Sequence, residues 1–373
     1  MARRRALETL VSPEFWRGRK VFLTGHTGFK GSWLALWLSE LGADVTGFAL
    51  AAEQPSLFEQ AGIAGRITHV EGDIRDLAAL ETAIAAAAPE IVFHLAAQPL
   101  VRQSYVDPVG TFATNVQGTV HLLDACRRIS GLRAIVCVTS DKCYENQEWV
   151  WPYRESDPMG GFDPYSSSKG AAELAISAYR RSFFTSEARV ASVRAGNVIG
   201  GGDWATDRLI PDIVRALIAG KAPEIRSPEA VRPWQHVFEA LSGYLLIAAR
   251  LAEGQDWAAT AWNFGPSAGD TRPVGWIVNQ MLENWGMEAS DTSSSWVRSA
   301  VSHPHEAHTL KLDCTKARAI LGWLPTYDLV TTIGSIVAWH RSVAEGGDAK
   351  QISLNQLNEY RGRLARTLSG SLN

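Results

Sequence analysis

The stretch Lys20-Val21-Phe22-Leu23-Thr24-Gly25-His26-Thr27-Gly28-Phe29-Lys30-Gly31 joins an apolar run to three glycines spaced three apart. Lys20 to Thr24 reads as a buried strand. Small and apolar residues recur at helical spacing from Ser32 to Leu41, and Gly42 serves as C-cap. A strand that turns through glycines into a helix can offer free backbone N–H groups to a phosphate. In such a turn Gly25 permits the tight bend, Gly28 lets a pyrophosphate approach, and Gly31 lets helix pack on strand. Phe29 and Lys30, inside the turn, join them as candidate dinucleotide contacts. The spacing is GxxGxxG rather than GxGxxG, so its meaning comes from the strand–turn–helix setting.

The same alternation continues outward. Strands are predicted at 44–49, 67–70, 91–95, 134–139 and 190–194. Asp76 caps a helix that Pro89 follows. Asp107-Pro108 opens a helix running to about Arg128, and Asp163-Pro164 opens one running to about Phe184. This is the pattern of an α/β fold with a doubly wound parallel sheet, a Rossmann domain, over residues 15–200. Beyond Gly200 the alternation breaks down and Pro, Trp and Arg become frequent. Residues 201–373 are expected mostly to form a smaller substrate-binding lobe. A stretch near 232–265 returns to the sheet, and Asp313 to Gly322 forms a short helix.

Composition bounds the rest. A chain of 373 residues can bury a full core, and a net charge of −3 offers no general footprint for nucleic acid. Cys126, Cys137, Cys143 and Cys314 are scattered without CxxC spacing, which fits a reduced, cytoplasmic protein. The basic start Met1-Ala-Arg-Arg-Arg5 is followed by Glu8, Pro13, Glu14 and Arg17, so no signal-peptide core is expected, and no apolar run is long enough to span a membrane. The first dozen residues are expected as an arm or short helix. His303, His305 and His308 cluster, but Pro304 interrupts any helical ligand face, and no metal site is expected.

Two groups downstream of the glycine loop carry chemistry. Tyr165 and Lys169 share one helix face. A tyrosine base needs its pKa brought from about 10 to about 7, roughly 4 kcal/mol. A cation at about 4 Å supplies about that much at an effective dielectric of 20. Lys169 is one such cation, an oxidised nicotinamide is another, and Ser140 could orient a substrate alcohol. Asp141 and Lys142 end the strand before. Once an alcohol is oxidised to a ketone the adjacent carbon is acidic, so a base there and an acid one carbon further on would expel water. Asp141 with a raised pKa suits the acid, and Lys142 with a lowered one suits the base.

The adenosine end is less defined. The second strand closes on Ala49-Leu50, where a carboxylate would hold the NAD ribose. Glu53 is a loose substitute, and no arginine stands ready for a 2′-phosphate. NAD is expected over NADP, though this strand does not decide it. Asp73 can either reach the adenine edge or cap the following turn, with Ile74 beside it. Ala96, Ala97 and Gln98 would let backbone lie along the cofactor, and His94 reads as a packed core residue.

The chain resembles the extended short-chain dehydrogenases that modify nucleotide sugars, the NAD-dependent epimerase/dehydratase family. The resemblance rests on Phe15-Trp16, Thr24 to Trp33, Ser56-Leu57-Phe58, Thr139-Ser140-Asp141-Lys142-Cys143-Tyr144, Arg194 to Trp204 and Arg232-Pro233-Trp234-Gln235-His236-Val237. Lysine at 142, where dTDP-glucose dehydratases carry glutamate, resembles the branch acting on CDP-glucose and leaves the C5 base open. The resemblance implies a lyase converting CDP-D-glucose to CDP-4-dehydro-6-deoxy-D-glucose, a precursor of deoxy sugars in surface polysaccharide. In that cycle Tyr165 takes the C4 hydroxyl proton and NAD the C4 hydride. Water leaves across C5 and C6 with Asp141 as acid and Lys142 as base. It further implies that Asn197 contacts the sugar or phosphates and that Arg232 and Arg208 pair with the pyrophosphate, each with packing as the alternative. Trp204 and Trp234 would stack on the base or wall the pocket. A homodimer or dimer of dimers, formed through the helices opened by Asp107 and Asp163, is implied as well. The alternatives are a nucleotide-sugar 4-epimerase, a dehydratase of another NDP-hexose, and a Rossmann protein that only binds nucleotide sugar. The Asp141-Lys142 pair argues against epimerisation, and intact Ser140, Tyr165 and Lys169 argue against mere binding.

Overall fold

The structure, a computed structural model, describes residues 9, 11–287, 296–299 and 309–370. Strands in chain order are β1 (Lys20–Thr24), β2 (Asp44–Ala49), β3 (Thr68–Glu71), β4 (Ile91–His94), β5 (Ala134–Val138), β6 (Arg189–Ala195), β7 (Asn197–Ile199), β8 (Glu224–Ile225), β9 (Val231–His236), β10 (Ala261–Phe264), β11 (Thr271–Pro273) and β12 (Val297–Arg298). Seven of them make one parallel sheet in the order β10-β6-β5-β4-β1-β2-β3. The order reverses between β1 and β4, where Thr24 stands level with His94. Such a switch point opens a crevice at the carboxyl ends of the strands.

Both faces of the sheet are covered, and successive residues feed opposite cores. Val21 and Leu23 of β1, Ile91 and Phe93 of β4, and Ala134 and Val136 of β5 join one core, while Phe22, Val92 and Ile135 join the other. The first core is closed by α1 (Phe29–Glu40). The second is closed by α2 (Leu77–Ala87), α3 and α4 (Pro164–Ser182) through Leu80, Leu122 and Ile176. The helix α3 begins as Pro108–Phe112, widens into a π-helical turn at Ala113–Gln117 and resumes as Gly118–Cys126.

Past β7 come α5 (Leu209–Ile218), α6 (Val237–Ala252), α7 (Val274–Trp285), α8 (Leu329–Ala344) and α9 (Ala349–Gly370). The lobe has its own core of Ile210, Ile225, Trp234, Ile277, Met281 and Ile333. It also has a small sheet in which β9 pairs with β7 and β11. The chain then returns to the main sheet. Phe238 of α6 packs edge-on against Trp33 of α1 at 4.8 Å, and β10 pairs with β6. The last helix, in the stretch expected mostly to build the lobe, instead sends Leu357, Tyr360 and Leu364 into the first core.

Element ends differ modestly from expectation. The first helix starts at Phe29, not Ser32, because Gly28 already serves as its N-cap. The expected helix of 107–128 carries the π turn, where Asn115 is drawn to Gln98 and Ser168. The short helix expected at Asp313–Gly322 contracts to a π-type turn, Ala317–Leu321, stopped by Gly322 at φ +78°. His303, His305 and His308 lie outside the described residues. Among the described residues no helix is long and apolar enough to cross a membrane.

One buried carboxylate ties the C-terminal helices down. Glu239 of α6 accepts from the backbone N–H of Thr326 (3.0 Å) and Tyr327 (2.7 Å) and from the Tyr360 hydroxyl (3.0 Å). Burial pushes its carboxyl from 4.5 up to about 7, against the pull of those donors. A carboxyl that holds its proton more tightly folded than unfolded contributes stability below its unfolded pKa. That contribution is lost as pH rises through the folded value. The Glu239→Gln variant should therefore gain stability relative to the parent between pH ~5 and pH ~8. Urea midpoints at the two pH values check this, and a constant offset would refute it.

Candidate active site

The crevice at the switch point is one continuous cavity of roughly 970 Å³, running from the ends of β2 and β3, past β1, β4 and β5, into the lobe. Its first section is built from the glycine loop. Gly25 has φ +76°, and a Cβ there would meet Ala96 N at 2.7 Å. A Cβ on Gly31 would collide with the Gly25 carbonyl. Gly28 faces the cavity, and a Cβ there would touch only Gly25 O, at 3.5 Å. It caps α1 without a side-chain bond to the first-turn N–H groups, whereas Asp76 and Asp163 cap α2 and α4. Uncapped N–H groups of a twelve-residue helix, aimed at a cavity wall, fit a pyrophosphate.

Phe29, Lys30, Ile74, Ala96 and Ala97 line the same section, as does Asp73. Asp73 caps the turn that follows it. It faces the cavity and accepts from Arg75 N at 2.9 Å, and the Arg75 guanidinium holds its carboxyl low. Leu50, Ala51 and Glu53 stand at the end of β2, with no cation among them. Gln98 is a correction. It does not line the cavity. Its amide is committed to Thr111 (2.9 Å) and to Leu100 N, and its backbone is held by Asn115. His94 is structural. Its ring lies between Thr24 (2.8 Å) and Thr119 (3.1 Å), and burial drops its pKa to about 3.

The middle section holds the candidate catalytic groups. Ser140, Asp141 and Lys142 follow β5, and Tyr165 and Lys169 project from the first two turns of α4 into the same cavity. Asp163 fixes that helix start, accepting from Ser166 N at 3.0 Å and from the Ser166 hydroxyl at 2.6 Å. Ser140 Oγ donates to Asp141 Oδ1 at 3.0 Å and accepts from Lys142 N at 3.2 Å. Burial raises the Asp141 carboxyl, against the charges of Lys142, Lys30 and Arg232 and the Ser140 bond. A buried acid with a raised pKa is what protonation of a leaving hydroxyl requires.

The tyrosine electrostatics differ from the simple Tyr–Lys arithmetic. Burial pushes Tyr165 up to about 12, helped by the charges of Asp141 and Asp163. The Ser140 hydrogen bond and Arg208 pull it down. Burial also lowers Lys169, to about 8, while Cys143, Glu173 and Cys137 push back. A cation brought in with a ligand would lower the phenol's pKa and favour its ionised form.

In the third section Asn197, Trp204, Arg208, Arg232 and Trp234 all line the wall. Arg208 is held by Asp203 at 3.0 Å. Trp204 is committed to packing, edge-on to His340 and bonded to Gln60 at 2.8 Å. Trp234 sits in the lobe core with its indole N–H unpartnered. Sequence reasoning missed Arg102, Asp203, Asp207, Glu224 and Arg226, which line the same wall. Asp203 stood in the quoted Arg194-to-Trp204 block. The others belong to no spacing pattern; Asp207 ties Arg102 to Arg226 across more than a hundred residues of chain. Among the described residues no group of histidine, cysteine and carboxylate side chains could hold a metal.

A glycine turn at the switch point of a parallel sheet, with Tyr and Lys one helical turn apart beside it, is the architecture of the short-chain dehydrogenases. A family model described as GDP-mannose 4,6 dehydratase matches residues 22–336, and the chain belongs to that family. The CDP-glucose 4,6-dehydratase of Salmonella typhimurium is 52% identical over 359 residues, 94% of this chain and 98% of that protein. The UDP-glucose 4-epimerase of Rhizobium leguminosarum bv. trifolii is 28% identical over 87% of this chain and 98% of its own length. Among solved structures, the dTDP-glucose 4,6-dehydratase DesIV from Streptomyces venezuelae, with NAD and TYD bound, superposes with a TM-score of 0.74. It is 24% identical and covers 88% of this chain and 98% of its own.

Proposed function

We propose that the chain is a lyase converting CDP-D-glucose to CDP-4-dehydro-6-deoxy-D-glucose, with NAD as cofactor. The reading is supported by the half-identical Salmonella relative over nearly the whole chain. The observation that carries it is the placement of Asp141 and Lys142 on the cavity wall beside Ser140 and Tyr165. A 4-epimerase needs the tyrosine but no acid for a C6 hydroxyl.

Bound NAD supplies the hydride acceptor, later the donor, and a positively charged ring. Tyr165 takes the C4 hydroxyl proton as the C4 hydrogen leaves as hydride, and Ser140 orients that hydroxyl. Lys142 then removes the C5 proton while Asp141 protonates the C6 hydroxyl, which departs as water. A proton given back to C5, with the hydride that bound NAD would return to C6, would complete a 6-methyl group with no net redox change. Arg208 and Arg232 balance the diphosphate, and their charges also restrain Tyr165 and Asp141.

Incubation with CDP-glucose and NAD, followed by NMR, should give a 6-methyl signal, and Tyr165→Phe should abolish it while nucleotide-sugar binding survives. CDP-galactose as product would convert the assignment to an epimerase, and near-normal turnover by the variant would remove the base. Lys142→Ala should block deuterium uptake at C5 from heavy water; unimpaired exchange would place that base elsewhere.

The working unit in this reading is a homodimer or dimer of dimers in the cytoplasm. Val106, Val109 and Phe112 on and just before α3 are exposed, as are Phe162 and Leu174 on and just before α4, an apolar surface suited to a second copy. All four cysteines are free and buried, as suits a reducing compartment. Sedimentation should give a mass of two or four chains; a monomer at micromolar concentration would refute the assembly.

A further inference from the structure

The order of groups along the cavity extends the CDP-glucose reading to its base. The hexose belongs at Tyr165, and the diphosphate at Arg208 and Arg232. The nucleobase must therefore lie further into the lobe. On the lobe side, β8 and the residues after it contribute to the cavity wall.

Glu224 in β8 and Arg226 just after it flank Ile225, which is buried in the lobe core. Both line the cavity. Arg226 is held in place from behind: its Nη2 donates to Asp207 Oδ1 at 2.7 Å and lies 3.8 Å from Asp212. Among the described residues it donates through Nη2 alone, which keeps Nε and Nη1 for a ligand. Asp207 is fixed in turn, at φ +61°, by Arg102 at 3.0 Å. The cavity thus receives a carboxylate acceptor and a planar, anchored donor from one short segment.

We propose that Glu224 and Arg226 read the cytosine edge and set the preference for CDP over UDP sugars. Cytosine presents an exocyclic N4 amine, a donor, next to N3 and O2, both acceptors. A carboxylate accepts from N4 and a guanidinium donates to N3 and O2. Uracil reverses two of these positions, with an acceptor at O4 and a donor at N3. It would set like against like at both residues, and unpaired or opposed polar groups are what give a site its power to reject. The inference rests on the substrate proposed above.

The test compares kcat/KM for CDP-glucose and UDP-glucose in the parent, Glu224→Gln and Arg226→Gln, with calorimetric binding of CDP and UDP to the NAD-loaded proteins as a readout independent of turnover. The glutamine amide at 224 can present either its oxygen or its nitrogen, so it should accept both bases. The CDP-to-UDP ratio should fall roughly tenfold or more in Glu224→Gln, in both turnover and binding, and in the same direction in Arg226→Gln. A parent that turns over CDP-glucose, with ratios unaltered in both variants, overturns the base readout alone. A parent that ignores CDP-glucose overturns the substrate assignment and this inference with it.

Discussion

Arg194 of β6 and Glu173 of α4 form a two-pronged ion pair in the interior, with Nε to Oε1 at 2.9 Å and Nη2 to Oε2 at 2.8 Å. Thr139, at the end of β5, and Ser192 of β6 donate to the same carboxylate, and Nη1 of the arginine reaches the Tyr144 hydroxyl at 2.6 Å. Tyr144 in turn donates to Asn263 of β10. Removing one member of a buried pair leaves an uncompensated charge, at a cost of about 3–5 kcal/mol. Here every lone pair is answered, so the carboxyl is held below its usual range and the guanidinium above. Glu173 lies on the helix face of Tyr165 and Lys169, at steps of four. The pair therefore fixes the register of the catalytic helix against the strand end that carries Ser140, Asp141 and Lys142. Placement of the reacting groups depends on that register.

The reactive centre is arranged so that charge is incomplete without ligand. Tyr165 and Lys169 are both displaced toward their neutral forms, the phenol to about 12 and the amine to about 8, and burial dominates each shift. Lys30 is lowered to about 8 by the same cause and by Arg208, while Asp141 restrains the fall. Burial and crowding of like charges store electrostatic tension that an oxidised nicotinamide and a diphosphate would relieve in opposite ways. A group of known pKa in water is thus a poor guide to its state here.

Much of the fold was legible from single elements. The two-core alternation of β1, β4 and β5 is a period-two pattern of continuous apolar residues. The Asp-Pro helix starts at 107 and 163 are local chemistry. The glycine loop and the pairing of Tyr165 with Lys169 were also readable, because each is a constraint between near neighbours. Gln98 was misjudged since its small-residue setting suggested cofactor contact, whereas an asparagine seventeen residues away claims its backbone. Four residues of spacing put Tyr165 and Lys169 on a shared face, but not the burial that displaces both, which comes from the neighbours packed around them.

By itself the sequence determined a glycine turn between strand and helix, a Tyr–Lys pair on one helix face, and an Asp–Lys pair at the end of the strand before that helix. Those depend on backbone geometry within a few residues. Only the tertiary structure decided that α9 serves the sheet rather than the lobe. It alone brought Arg102, Asp207 and Arg226 into one ionic chain across the cavity. Charges separated by more than a hundred residues interact only once the lobe has folded back, and their energies depend on burial and distance, which no local pattern encodes.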